Sequence, residues 1–154
     1  MTPIILIDKL IEFLTPVVAE FDLQSNVETV RKAPQVLAGY LPAKLPLQTI
    51  PDFPYVLVRY IEDTDAEDAD TAIVKIYVGS YSEDAQDGWR DAMNILTKTK
   101  TALMRKRFFG PFKIERPIKT ELPEEQPFPE WIAILTLNVT MPHVIEEGDC
   151  LDDF

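Results

Sequence analysis

Residues Glu62 to Asp70 read EDTDAEDAD, and six carboxylates in nine positions are the first place to look for metal chemistry. Asp63 and Asp65 stand at the spacing of the first two ligands of a calcium loop. Such a loop also needs a glycine at its sharp turn and an acid at its closing position. The glycine is missing, and the closing position falls on Val74. The acids Glu62, Asp63, Asp65, Glu67, Asp68 and Asp70 are therefore expected to form a solvated charged loop rather than a cation cage.

Nucleophilic and metal chemistry have little else to work with. His143 is the only histidine and Cys150 the only cysteine. An acidic tail around Cys150 is expected to disfavour the thiolate that catalysis would need. One histidine with one cysteine cannot supply the usual zinc ligand sets. The five glycines follow no phosphate-loop pattern. The clustered carboxylates sit where solvent keeps them ionised, whereas an acid catalyst needs one of them desolvated. The sequence makes no case for an enzyme and implies no cofactor and no metal.

The charge is unevenly placed. Six of the 26 acids lie in the nonapeptide and five in the tail EEGDCLDDF, residues 146–154, and neither segment holds a Lys or Arg. These eleven equal the whole net charge of −11, so the remaining 15 acids balance the 15 bases. A sequence pI near 4.5 argues against a phosphate-binding surface, which needs clustered cations. Lys98, Lys100, Arg105, Lys106 and Arg107 form the one dense basic run. They fall at the end of a helical pattern, where the helix dipole favours cations, so a solvated helix end is the simpler reading. A lone cysteine excludes an internal disulfide. The first residues, MTPIILIDKLIEFL, lack the basic flank of a signal peptide, and no apolar run reaches membrane-spanning length. The expectation is a protein in the cytoplasm where it is made.

At 154 residues the chain suits one domain with a single core, expected over residues 1–145 and followed by the acidic tail. Ile4, Ile7, Leu10, Ile11, Leu14, Val17, Val18 and Phe21 give a helical stripe from Pro3 to Phe21, with Thr2 as cap and Pro16 as a bend or stop. A short extended piece is expected at Gln35 to Leu41. Prolines 42, 46, 51 and 54 then impose an extended arm over residues 42–53. Tyr55 to Ile61 and Thr71 to Tyr81 alternate as strands, with Ala72, Val74, Ile76 and Val78 on one face. Ser82 to Arg107 reads as one long helix capped by Asp84, with Trp89, Ala92, Met93, Leu96, Thr99 and Leu103 in its buried stripe. Phe112 to Leu122 and Trp131 to Met141 are two further strands, and Pro117 marks the first as an edge or bulge. The class is α+β: a mostly antiparallel sheet against one long helix, with an N-terminal helix and a Pro-rich arm.

The span from Pro51 to Pro142 carries a likeness. Its pieces are Pro54-Tyr55-Val56-Leu57-Val58-Arg59, the Gly79/Tyr81 strand end running into Asp87-Gly88-Trp89-Arg90-Asp91, and Glu125-Gln126-Pro127-Phe128-Pro129. In these the chain resembles the small tail terminator, or tail completion, proteins of long-tailed bacteriophages and prophages of Gram-positive bacteria. The resemblance implies a structural virion protein, without cofactor or enzymatic activity. Such proteins form a hexameric ring at the head-proximal end of the tail tube and join it to the head. The implied partners are further copies of the chain, the major tail tube protein and the head connector proteins. DNA would pass through without specific binding, and no membrane is involved.

The charge map is compatible with that role. Acids lining a passage repel phosphates and keep DNA moving, so the nonapeptide is expected on the lumen or on one ring face. Subunit contacts are expected from Leu45, Leu47 and Ile50 of the arm and from the aromatic turn at Phe128 and Trp131. Two other readings stay open: a connector adaptor or stopper of the neck, and, more remotely, an acidic DNA-mimic inhibitor. The latter needs carboxylates spread over a surface at phosphate-like spacing.

Overall fold

In the computed structural model the described residues are 2–27, 29–43 and 52–142. The elements run α1 (Pro3–Val17), β1 (Leu23–Gln24), β2 (Arg31–Lys32), β3 (Gln35–Ala38), β4 (Tyr55–Asp65), β5 (Asp70–Tyr81), α2 (Trp89–Lys106), β6 (Phe108–Phe109), β7 (Phe112–Glu121) and β8 (Glu130–Met141). β1 and β2 make a small ribbon, and the other strands form one six-stranded sheet in the order β3-β4-β5-β8-β7-β6. The class is α+β, with two helices on one face of a mostly antiparallel sheet.

The core is set by period-two alternation in the long central strands. Val74, Ile76 and Val78 of β5 and Ala133, Leu135, Leu137 and Val139 of β8 are fully buried on the helix side. Leu6, Leu10 and Leu14 of α1 and Ala92, Ile95, Leu96 and Leu103 of α2 close over them. α1 starts as its sequence dictates: Thr2 Oγ1 accepts from the Ile5 amide at 3.4 Å, and Pro3 takes the first helical position. Pro16 lies in its last turn, and the helix ends at Val17 rather than Phe21. Ile7, Leu10, Leu14 and Val18 of the expected stripe are buried, but Leu6 joins them while Ile4 is 71% exposed.

α2 begins at Trp89, not at Ser82. The Ser82 amide donates to Pro129 O at 2.9 Å, which ties the chain to the end of the central β5–β8 ladder at that point. Asp84 does cap, but it caps the preceding turn, accepting from the amides of Gln86 (3.0 Å) and Asp87 (3.1 Å). Arg105 and Lys106 fill the last turn of α2, where the dipole favours cations.

The least regular part of the sequence supplies a parallel strand. β3 pairs in parallel with β4, Gln35 opposite Tyr55 and Ala38 opposite Val58. Parallel neighbours need a long crossover, and residues 39–54 provide it. Of the expected arm over residues 42–53, only residues 42–43 and 52–53 are described. Leu45, Leu47 and Ile50 lie outside the described residues, as do His143, Cys150 and the acidic tail. The crossover ends on the outer face of the sheet, opposite the helices. There Phe53, Tyr55 and Leu57 are buried in a second cluster with Leu37, Leu41, Tyr77 and Tyr81. Where the crossover leaves β3, the Arg59 guanidinium lies between the rings of Tyr40 (4.1 Å) and Tyr77 (4.4 Å), and its Nε donates to Gly39 O. Pro117 stands in a break of the β7–β8 register between Glu115 and Lys119, on a strand that β6 pairs only at Phe112 and Lys113.

Candidate functional site

The acidic nonapeptide is not a loop. β4 runs on to Asp65 and β5 begins at Asp70, so only residues 66–69 form the turn, closed by the Ala66 amide on Ala69 O at 3.1 Å. The extension follows from β8, which pairs β5 all the way to Asp70, opposite Met141. With β5 held that far, Asp63 faces Ala72 and Asp65 faces Asp70 across an ordinary antiparallel ladder. A register shift between Tyr60 and Glu62 marks a bulge, after which every residue of β4 is exposed.

Strand parity sorts the acids. Asp63, Asp65 and Asp70 share the helix-side face with Tyr60, Glu62 falls on the opposite face, and Glu67 and Asp68 occupy the turn. Asp70 does not project as expected. It lies on the same face as Ala72 and Val74 and is only 7% exposed. The Tyr60 hydroxyl donates to Asp63 Oδ2 at 2.6 Å, and that bond holds the phenol pKa above its ordinary value. Among the described residues no three His, Cys, Asp or Glu side chains converge on a metal position.

Among the described residues β3 covers β4 only as far as Val58, and from Arg59 to Asp65 β4 forms the edge of the sheet. Edge strands are commonly protected by charge, and this one carries Glu62, Asp63 and Asp65. The opposite edge of the sheet is basic at the same level. Thr64 aligns with Thr71, Thr140, Lys113 and then Phe108 of β6, so about 19 Å of sheet separates the two edges. Around Lys113 lie Arg107, whose Nε donates to Ile114 O at 3.0 Å, and the exposed Arg116. Glu115 sits 3.7 Å from Arg107 and 3.6 Å from Lys113, so it offsets only part of that charge. Phe108, 57% exposed, lies under Lys113 at 5.5 Å.

The other predicted contact residues separate. Trp131 is 8% exposed, and its indole N–H donates to Ser82 O at 3.0 Å. It pins the turn before α2 to the sheet instead of presenting a docking surface. Gly88 is needed beneath it, since a Cβ there would stand 2.5 Å from the indole nitrogen. Phe128 is 53% exposed and meets Trp131 edge-on at 6.0 Å. Sequence reasoning missed the basic edge, because it arises only when β6 and β7 bring Arg107 beside Lys113.

No helix of the described residues is long and apolar enough to cross a membrane. No protein-family model and no curated protein matches the chain.

Proposed function

We propose that the chain is a structural component of a phage tail. In this reading copies of it close a ring at the head-proximal end of the tail tube, as in the terminator proteins it resembles. The observation that carries the reading is the opposite charge of the two sheet edges at one level. A ring is built from a heterologous contact in which two different patches of each subunit meet. The edge of β4, with Glu62, Asp63 and Asp65, complements Arg107, Lys113 and Arg116 of the next copy.

Glu67 and Asp68 in the hairpin turn then face the lumen, where they repel the phosphates of passing DNA. Phe128 stands out from the body as a contact for the tail tube protein or the head connector. The arm at Leu45, Leu47 and Ile50, a proline-stiffened crossover, contributes to the neighbour contact at low entropic cost. No reaction is assigned to the chain.

Charge reversal tests the reading. Replacing Glu62, Asp63 and Asp65 with Lys is expected to abolish rings on tails viewed by electron microscopy. Adding Arg107→Glu, Lys113→Glu and Arg116→Glu to the same chain is expected to restore them. Loss without restoration would overturn the edge-to-edge contact.

A further inference from the structure

Beside the C-terminus of α2 a groove of about 590 Å³ opens between the two helices. Its apolar lining comes from Phe13, Val17 and Phe109, the two rings meeting edge-on at 5.1 Å. Two ammonium groups border it. Lys106 Nζ lies 5.0 Å from the Phe13 ring centroid and 4.8 Å from that of Phe109, and Lys9 borders Gly110. Neither lysine has an ion-pair partner among the described residues. Glu12, on the rim, is the one carboxylate of the lining. A ligand that fits such a groove is an acidic peptide with interspersed apolar side chains.

The chain contains that peptide. Residues 143–154, outside the described part, include Glu146, Glu147, Asp149, Asp152 and Asp153 without a single Lys or Arg, and they also carry Leu151 and Phe154. Their starting point is close. β8 ends at Met141, Thr140 pairs with Lys113 on β7, and Lys113 pairs with Phe108 on β6. The exit therefore lies about 10 Å, two strand spacings, from β6. An extended chain of this length reaches up to about 40 Å. Tethering also gives the segment an effective concentration of order millimolar, enough to make weak contacts count.

We propose that residues 143–154 fold back into this groove of their own chain. Leu151 and Phe154 lie against Phe13 and Phe109, and the acids face Lys9 and Lys106. Apolar contact and ion pairing act together there, which neither a purely acidic nor a purely apolar segment would achieve. The docked tail covers the two lysines that border the groove.

Amide NMR spectra of the full chain and of a chain ending at Pro142 test this. The expected difference is confined to Val17, Phe109, Gly110 and their neighbours, independent of protein concentration, and lost in 1 M salt. In the full chain, Lys9→Gln with Lys106→Gln should reproduce the truncated spectrum at the groove without disturbing the sheet. Leu151→Ser with Phe154→Ser should do the same while leaving every charge in place. No difference at the groove, or differences centred elsewhere, would overturn the proposal. A groove difference that fades on dilution would mean the tail of a second copy, and would overturn it equally.

Discussion

Tyr55 lies across Gly79, the residue directly opposite it on β5, so closely that a Cβ there would stand 2.2 Å from the ring. The missing side chain lets the ring lie over the sheet, where it joins Phe53 at 5.0 Å and closes the outer cluster. Burial holds the phenol pKa above its ordinary value, with Glu130 adding to the shift. This packing fixes the end of the crossover against β5, the neighbour of the strand that carries the acidic edge.

Gly79→Ala is expected to force the ring off the sheet and cost about 1–3 kcal/mol, the usual range for overpacking. Urea denaturation with tyrosine fluorescence measures it. An unchanged midpoint would contradict the close contact.

Thr99 is fully buried in α2, and its hydroxyl has no hydrogen-bond partner among the described residues. Thr99→Val keeps the shape and removes the orphaned polar atom. It should stabilise the protein by about 1 kcal/mol, visible as a higher thermal midpoint. A lower midpoint would mean that the hydroxyl is bonded after all.

Asp91, in the first turn of α2, has its pKa raised by burial, with Arg31 opposing the shift. A carboxyl whose folded pKa exceeds its unfolded value binds more protons when folded, so its contribution to stability improves as pH falls through the folded pKa. Asp91→Asn should therefore raise the thermal midpoint at pH 7, and the gain should shrink as the pH approaches the unfolded carboxyl range. A gain that grew toward acid pH would reverse the sign and refute the assignment.

Phe128 contributes little to the core, being more than half exposed beside Trp131. Phe128→Ser is expected to shift the thermal midpoint only slightly while reducing co-purification of the protein with tails. Unchanged co-purification would remove Phe128 from the contact surface.

The central fold was legible because β5 and β8 alternate cleanly, and because Thr2-Pro3 and the α2 stripe carry local signals that packing did not override. The boundaries that failed were decided by distant partners. β8 drew Asp70 into the ladder, β4 ran on beside it past Ile61 to Asp65, and most of an expected loop became strand. Pro129 and Trp131 held Ser82 to the sheet and delayed α2 to Trp89. The parallel pairing of β3 left no trace in a four-residue strand separated from its partner by a long crossover. Of the candidate surfaces, the acidic edge could be read from composition. Trp131 could not be sorted from Phe128, since burial of an aromatic in a proline-rich turn depends on what folds over it.

The most direct measurement is electron microscopy of tails assembled with and without this protein. With the chain present, tails of normal length, joined to capsids and bearing a ring at the joint, are expected. In its absence they should be overlong or headless. Tails of normal length attached to capsids in its absence would contradict it.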